Sequence, residues 1–164
     1  MKKTPAVKNG KRKKISASAI GIAIIFTLIF TLGLCTAADY GVYCDEPSEQ
    51  VILRENLKEY AAVLGDAGAL AYYDRLGVQR SSESVEIDHG QSAYYLLAPA
   101  LTLCETNSAL LHWLWHAYSW GLFTLGLLGL YLLLREMGLG VGPAMAGAAM
   151  MLLSPRFFAE GHYN

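Results

Sequence analysis

The sequence predicts an all-α integral membrane protein. Three observations carry that expectation. Of 164 residues, 54% are hydrophobic and only 16% are charged, whereas soluble domains carry roughly 25% charged residues. Three runs of 24, 26 and 19 residues contain no Asp, Glu, Lys or Arg. The remaining charge is sorted by sign along the chain: seven of the 13 basic residues precede position 15, while residues 39–110 hold twelve acids against four bases. The net charge of −1 hides this arrangement. A nucleic-acid partner is not expected, because the basic cluster is confined to one short arm containing Gly and Pro.

The elements follow in order. Residues 1–14 form the basic arm. Residues 15–38 are the first uncharged run, and at about 1.5 Å per residue a helix of this length crosses the roughly 30 Å hydrocarbon core. The run is longer than the apolar stretch of about 7–15 residues in a cleaved signal, and Leu34 is too large to precede a lipidated Cys35. By the positive-inside rule the basic arm lies in the cytoplasm, so the acidic loop 39–110 lies outside. In that loop Pro47 opens a helix to about Leu64, with Leu53, Leu57, Tyr60, Ala61 and Leu64 on one face, suited to lying on the membrane surface. Gly65, Asp66, Ala67 and Gly68 break it. Residues 77–92 are polar and irregular. The apolar stretch 94–103 is too short to span and reads as an interfacial or re-entrant piece.

A second transmembrane helix is expected over 111–134, with Trp113, Trp115, Tyr118 and Trp120 at an interfacial end. Residues 135–140 form a cytoplasmic turn. Residues 141–155 form a third transmembrane helix, rich in Gly and Ala for close packing and ended or kinked by Pro155. Residues 156–164 begin a second outside segment, on the same face as the acidic loop. Cys44 and Cys104 both lie outside, where they either pair or remain free thiols. No Cys and His spacing marks a metal site, so any metal or cofactor is left unknown.

Four groups of residues carry candidate chemistry. Asp39, Asp45 and Glu46 stand where the chain leaves the first helix. A carboxylate there suits a general base acting on a hydroxyl beside a membrane-bound substrate, or a cap for the helix at Pro47; Glu46, adjoining Pro47, is the better capping candidate. Asp88 and His89 suit a proton or metal site in the loop, or a solvated turn. His112 and His116, four apart, share one helical face. Arg156 and His162 suit a lipid phosphate, or an interfacial anchor.

The stretch Asp39-Tyr40-Gly41-Val42-Tyr43-Cys44-Asp45-Glu46-Pro47, following one helix, resembles the first outside loop of GT-C class membrane glycosyltransferases. It is similar to the bacterial branch related to dolichyl-phosphate-mannose protein mannosyltransferases. Ser154-Pro155-Arg156-Phe157-Phe158-Ala159-Glu160-Gly161-His162-Tyr163-Asn164 resembles a second hallmark of that branch, and His116 with the apolar helix ending at Arg135 fits between them. The resemblance implies three transmembrane helices at the start of a larger GT-C bundle, and hence an N-terminal fragment that is inactive alone. It implies transfer of a sugar from a polyprenyl-phosphate donor to an acceptor at the outer face. Asp45 would be the catalytic base, with Glu46 and Asp39 beside it. Arg156, His162 and His116 would serve the donor phosphate, and Asp88 and His89 the acceptor side. Two alternatives stay open: a non-enzymatic anchored module whose outside loop binds a partner, and a transporter fragment using the Gly-rich helix.

Overall fold

The computed structural model describes residues 16–88 and 92–163. Every regular element among them is helical. α1 (Ala17–Thr36) begins where the Ser16 hydroxyl accepts from the Ala19 N–H at 3.2 Å. Two of its hydroxyls are satisfied within the helix: Thr27 Oγ1 donates to the Ala23 carbonyl at 2.8 Å and Thr36 Oγ1 to that of Leu32 at 3.1 Å. Such bonds to the preceding turn hide these two hydroxyls among the apolar side chains. α1 and α5 (Ser108–Glu136) are long and apolar enough to cross a membrane. At 29 residues, α5 extends about 43 Å, well beyond the roughly 30 Å of hydrocarbon.

The two long helices pack antiparallel, since ascending positions in α1 meet descending positions in α5. The Phe26 ring lies 6.1 Å from that of Tyr131. Trp120 Nε1 donates to the Ile29 carbonyl at 3.2 Å, and Trp113 Nε1 to the Leu34 carbonyl at 3.1 Å. An indole N–H buried without an acceptor is costly, and these helix carbonyls each retain a second lone pair. Gly33 admits the buried Trp120 ring: a Cβ there would stand 1.9 Å from Trp120 Nε1.

α5 ends at a left-handed Gly138, φ 90°, where Gly138 N–H reaches the Arg135 carbonyl at 3.0 Å and Leu139 N–H that of Leu134 at 3.1 Å. This closing motif sends α6 (Val141–Leu152) back along α5, with Ala144 and Ala148 buried against Phe26, Leu127 and Tyr131. α6 has 12 residues, about 18 Å, so the third apolar run is not one helix through 155. It stops because Pro155 has no N–H to continue the ladder and its ring clashes with the preceding turn. α7 (Pro155–Tyr163) starts at that proline and continues the return. By its last turn it reaches the level of Phe123 and Trp120: a Cβ on Gly161 would meet the Phe123 ring at 2.7 Å, and His162 lies 4.1 Å from Trp120.

The segment between α1 and α5 packs around the first half of α5. α2 (Glu46–Leu64) closes at Gly65, and Asp66 caps α3 (Ala67–Arg75) by accepting from Ala69 N–H at 3.0 Å. The expected stripe on α2 is only half buried. Leu53 and Ala61 are inside, whereas Tyr60 and Leu64 are exposed, and the inward face instead includes Glu46, Ile52 and Glu55. The apolar stretch 94–103 is a 3₁₀ turn (Ser92–Leu97) running into α4 (Ala98–Leu103). It brackets α2 to α5: Leu53, Leu97, Leu101, Cys104, Leu111 and Trp115 form one core, with Tyr94 stacked on Trp115 at 4.8 Å. Cys44 is exposed and Cys104 buried, both as free thiols.

The polar stretch after α3 is not loose, because carboxylates of α2 hold it. Gln79 Nε2 donates to Glu55 at 2.7 Å, Ser82 Oγ donates to Glu59 at 2.7 Å, and Arg80 pairs with the same Glu59 carboxylate. Lys58 meets Asp74 and the Val78 carbonyl, each at 2.6 Å.

Two outcomes follow from this packing. Gly33→Ala drives a methyl into a buried indole and is expected to cost roughly 1–3 kcal/mol. Gly21→Ala, on the same helix with nothing within 4 Å, gains up to about 1 kcal/mol. Thermal melts in detergent, followed by tryptophan fluorescence, separate the two; equal melting temperatures would refute the wedge. The bonds from Arg80 and then Ser82 pull the Glu59 carboxyl from 4.5 down to about 2. Because the folded value lies below the unfolded one, this attachment is complete above about pH 4.5 and is lost as the pH falls through about 2. A carboxyl NMR titration of Glu59 with a midpoint near 4.5 would contradict it.

Candidate functional site

The turn after α1 carries the chain from the end of one long helix onto the side of the other. Glu46, the first residue of α2, turns its side chain inward and is only 3% exposed. It does not cap the helix; Asp45 occupies the capping position, without a side-chain cap bond. Glu46 Oε2 lies 3.1 Å from His116 Nε2, and Oε1 lies 3.5 Å from His112 Nδ1 and accepts from Gln50 Nε2 at 3.3 Å. The two histidines stand one turn apart on one face of α5, ring centres 4.1 Å apart. A buried carboxylate needs such partners, since leaving it unpaired costs several kcal/mol.

Tyr40 joins this cluster to α7. Its carbonyl accepts from His112 Nε2 at 2.8 Å, and its ring stacks on His162 at 3.9 Å and 22°. His162 is fully buried, with Trp120 and Phe158 packed around the ring. Its Nδ1 donates to the Phe158 carbonyl at 3.0 Å. Its Nε2 is buried and has no hydrogen-bond partner among the described residues.

The structure thus brings together Glu46, His116 and His162, three of the residues singled out in the sequence. Asp45 sits next to Glu46 but on the surface, with Cys44 Sγ 3.6 Å from its Oδ1. Asp39 is exposed in the turn closing α1, and its N–H bonds the Thr36 carbonyl at 2.9 Å. Arg156 lies on the first turn of α7 with its side chain 87% exposed, 4.0 Å from Glu160, rather than beside His162. Glu160 itself approaches the first-loop motif: the charges of Cys44, Asp45 and Glu160 raise the pKa of Tyr43. Asp88 is exposed at the edge of the described loop, and His89 lies outside the described residues.

From the sequence, Glu46 stands as a helix cap or a neighbour of the catalytic Asp45, and His112 shares a helical face with His116. The two histidines at i and i+4 were the visible signal; the carboxylate facing them comes from 66 residues earlier, a pairing that spacing does not reveal. Beside the cluster, between α1 and α5, runs an apolar groove of about 610 Å³. Phe26, Phe30, Leu96, Gly121 and Leu125 line it, as do Ala117 and Tyr118, which follow His116 in the chain.

Comparison of the chain with protein-family models, with curated proteins and with solved structures finds no match.

Proposed function

We propose that this chain is the N-terminal part of a GT-C type membrane glycosyltransferase, moving a sugar from a polyprenyl-phosphate donor to an acceptor at the outer face of the membrane. The observation that carries this reading is a convergence. The first-loop acid motif, the histidine of the second long helix and the end of the Ser-Pro-Arg segment resemble one family. They meet at one site, through the 3.1 Å contact of Glu46 with His116 and the 3.9 Å stack of Tyr40 on His162. The apolar groove between α1 and α5 suits an isoprenoid chain.

In this reading the membrane is crossed by α1, by α5 and by the return path of α6 and α7, broken at Ser154 and Pro155. Such a break is tolerated at membrane depth where neighbouring protein covers it. Ile24, Leu28 and Leu32 of α1 and Leu125, Leu132 and Leu133 of α5 are exposed, as lipid-facing side chains are. The basic arm lies in the cytoplasm and the acidic segment outside.

Asp45 is the carboxylate placed to act, because Glu46 is committed to the histidines while Asp45 is at the surface. It takes the proton from the acceptor hydroxyl as that oxygen attacks the sugar's anomeric carbon. The bond from that carbon to the phosphate oxygen breaks, its electron pair stays on the phosphate, and polyprenyl phosphate leaves. A single displacement inverts the configuration. Arg156, exposed on α7, supplies the positive charge for the leaving phosphate.

Asp45→Asn keeps the shape and removes the basicity. Assayed in membranes with a polyprenyl-phosphate sugar and the full-length protein, it is expected to lower turnover about 10²- to 10⁴-fold at normal insertion; turnover near the parent's rejects Asp45 as the base. Orientation is read at Cys44. In a Cys35→Ser background, a membrane-impermeant maleimide is expected to label it in intact cells, and labelling only after permeabilisation reverses the topology.

A further inference from the structure

The Glu46, His112 and His116 cluster has a proton problem that leads to a further site. A backbone carbonyl only accepts, so the 2.8 Å contact with the Tyr40 carbonyl requires His112 Nε2 to carry its proton. A neutral imidazole has one N–H. His112 Nδ1 then presents a bare lone pair to Glu46 Oε1 at 3.5 Å, lone pair against carboxylate, at a nitrogen shut off from solvent with no hydrogen-bond partner among the described residues. Something positive belongs between them.

The geometry points to a divalent metal ion, and to zinc by ligand type, held by His112 Nδ1, His116 Nε2 and a Glu46 carboxylate oxygen. One ligand atom from each of the three residues lies within 4.8 Å of the others, with Glu46 oxygens 3.5 Å from His112 Nδ1 and 3.1 Å from His116 Nε2, so an ion at about 2.0–2.2 Å from each is reached by small side-chain shifts. Two imidazoles and one carboxylate suit zinc over magnesium or calcium, which take oxygen ligands. Three protein ligands leave a fourth position open, the pattern of reactive rather than structural zinc sites.

The surroundings fit a metal site. Metal-binding histidines usually donate their second ring N–H to a carbonyl or carboxylate, which fixes the tautomer; the Tyr40 carbonyl does this for His112. Glu46 and His116 are also almost completely buried, with side chains 2% and 0% exposed. Their positions are held by packing rather than by solvent, so the donors are preorganised. A proton on His112 Nδ1 is the competing solution, an imidazolium paired with Glu46, and it predicts no bound metal.

The inference does not rest on the sugar-transfer reading, and its test reads the ion alone. The full chain is purified in detergent without a histidine tag, with Cys35→Ser and Cys44→Ser so that exposed thiols do not take metal. Dialysis against zinc is expected to leave one equivalent per chain. Cobalt in its place is expected to give the intense visible bands of a four-coordinate site. Glu46→Gln and His116→Asn are each expected to weaken binding by more than about 100-fold, beyond the 10- to 100-fold of a change outside the ligand set. Should these variants lose helix by circular dichroism, zinc X-ray absorption of the unaltered cluster decides the matter. Nitrogen and oxygen neighbours near about 2.0 Å with imidazole scattering support it, and a sulfur shell near about 2.3 Å overturns it. Zinc well below stoichiometric, or binding unchanged in folded Glu46→Gln and His116→Asn, overturns it as well.

Discussion

Trp120 is the wedge on which the arrangement of helices turns. It is buried in α5 and touches both α1 and α7. Its indole N–H bonds the Ile29 carbonyl of α1, its ring fills the space left by Gly33, and its other face receives Phe158 and His162 of α7. A large aromatic with one polar atom is suited to this, because the ring supplies area while the N–H fixes direction. Between apolar helices most packing contacts are interchangeable. A hydrogen bond to one carbonyl is not, so it sets the register of α1 on α5. That register places the end of α1, and with it Tyr40, opposite His112.

The site inherits its order from this register. Tyr40 offers two unlike groups in opposite roles, a carbonyl to His112 and a ring to His162. The chain then turns and delivers Glu46 to the same face of α5. α2 is thus tied to α5 at its first residue by a buried polar contact and, further on, by the apolar core around Leu53 and Trp115. Replacing one member of a buried polar set strands the others, so the polar end specifies position while the apolar end supplies most of the stability.

How much of this was readable depended on range. The long apolar runs announced α1 and α5, and Pro47 and Gly65 announced the ends of α2, because composition and backbone preference act locally. The position of Pro155 gave the break, although not that α6 would already stop at Leu152 as a short helix. The inward face of α2 is not legible from sequence because Glu46 and Glu55 count as surface residues by type. Their burial is decided by His116 and Gln79, partners from distant parts of the chain. The stretch after α3 looked irregular for a related reason: its order comes from Glu55 and Glu59, not from its own sequence. Within the site, Glu46, His116 and His162 were each visible as residue types. Their meeting is a property of the Trp120 register and of the turn at Gly138.

The break at Pro155 is what makes α7 more than an extension of α6. A continuous helix from Val141 would keep the small-residue face of Ala144 and Ala148 against α5 for its whole length, and would present similar packing higher up. Interrupting the ladder lets α7 take its own rotation. Phe158 and His162, four residues apart and so on one face, are turned together onto Trp120, while Arg156 and Glu160 stay at the surface. The same short helix therefore covers the site from one side with the buried His162 ring. On the other it lines the surface beside Tyr43 and Asp45 with charge. A dry inner cluster next to a wet outer carboxylate is the division of labour that the proposed reaction, between a membrane-bound donor and a water-side acceptor, would use.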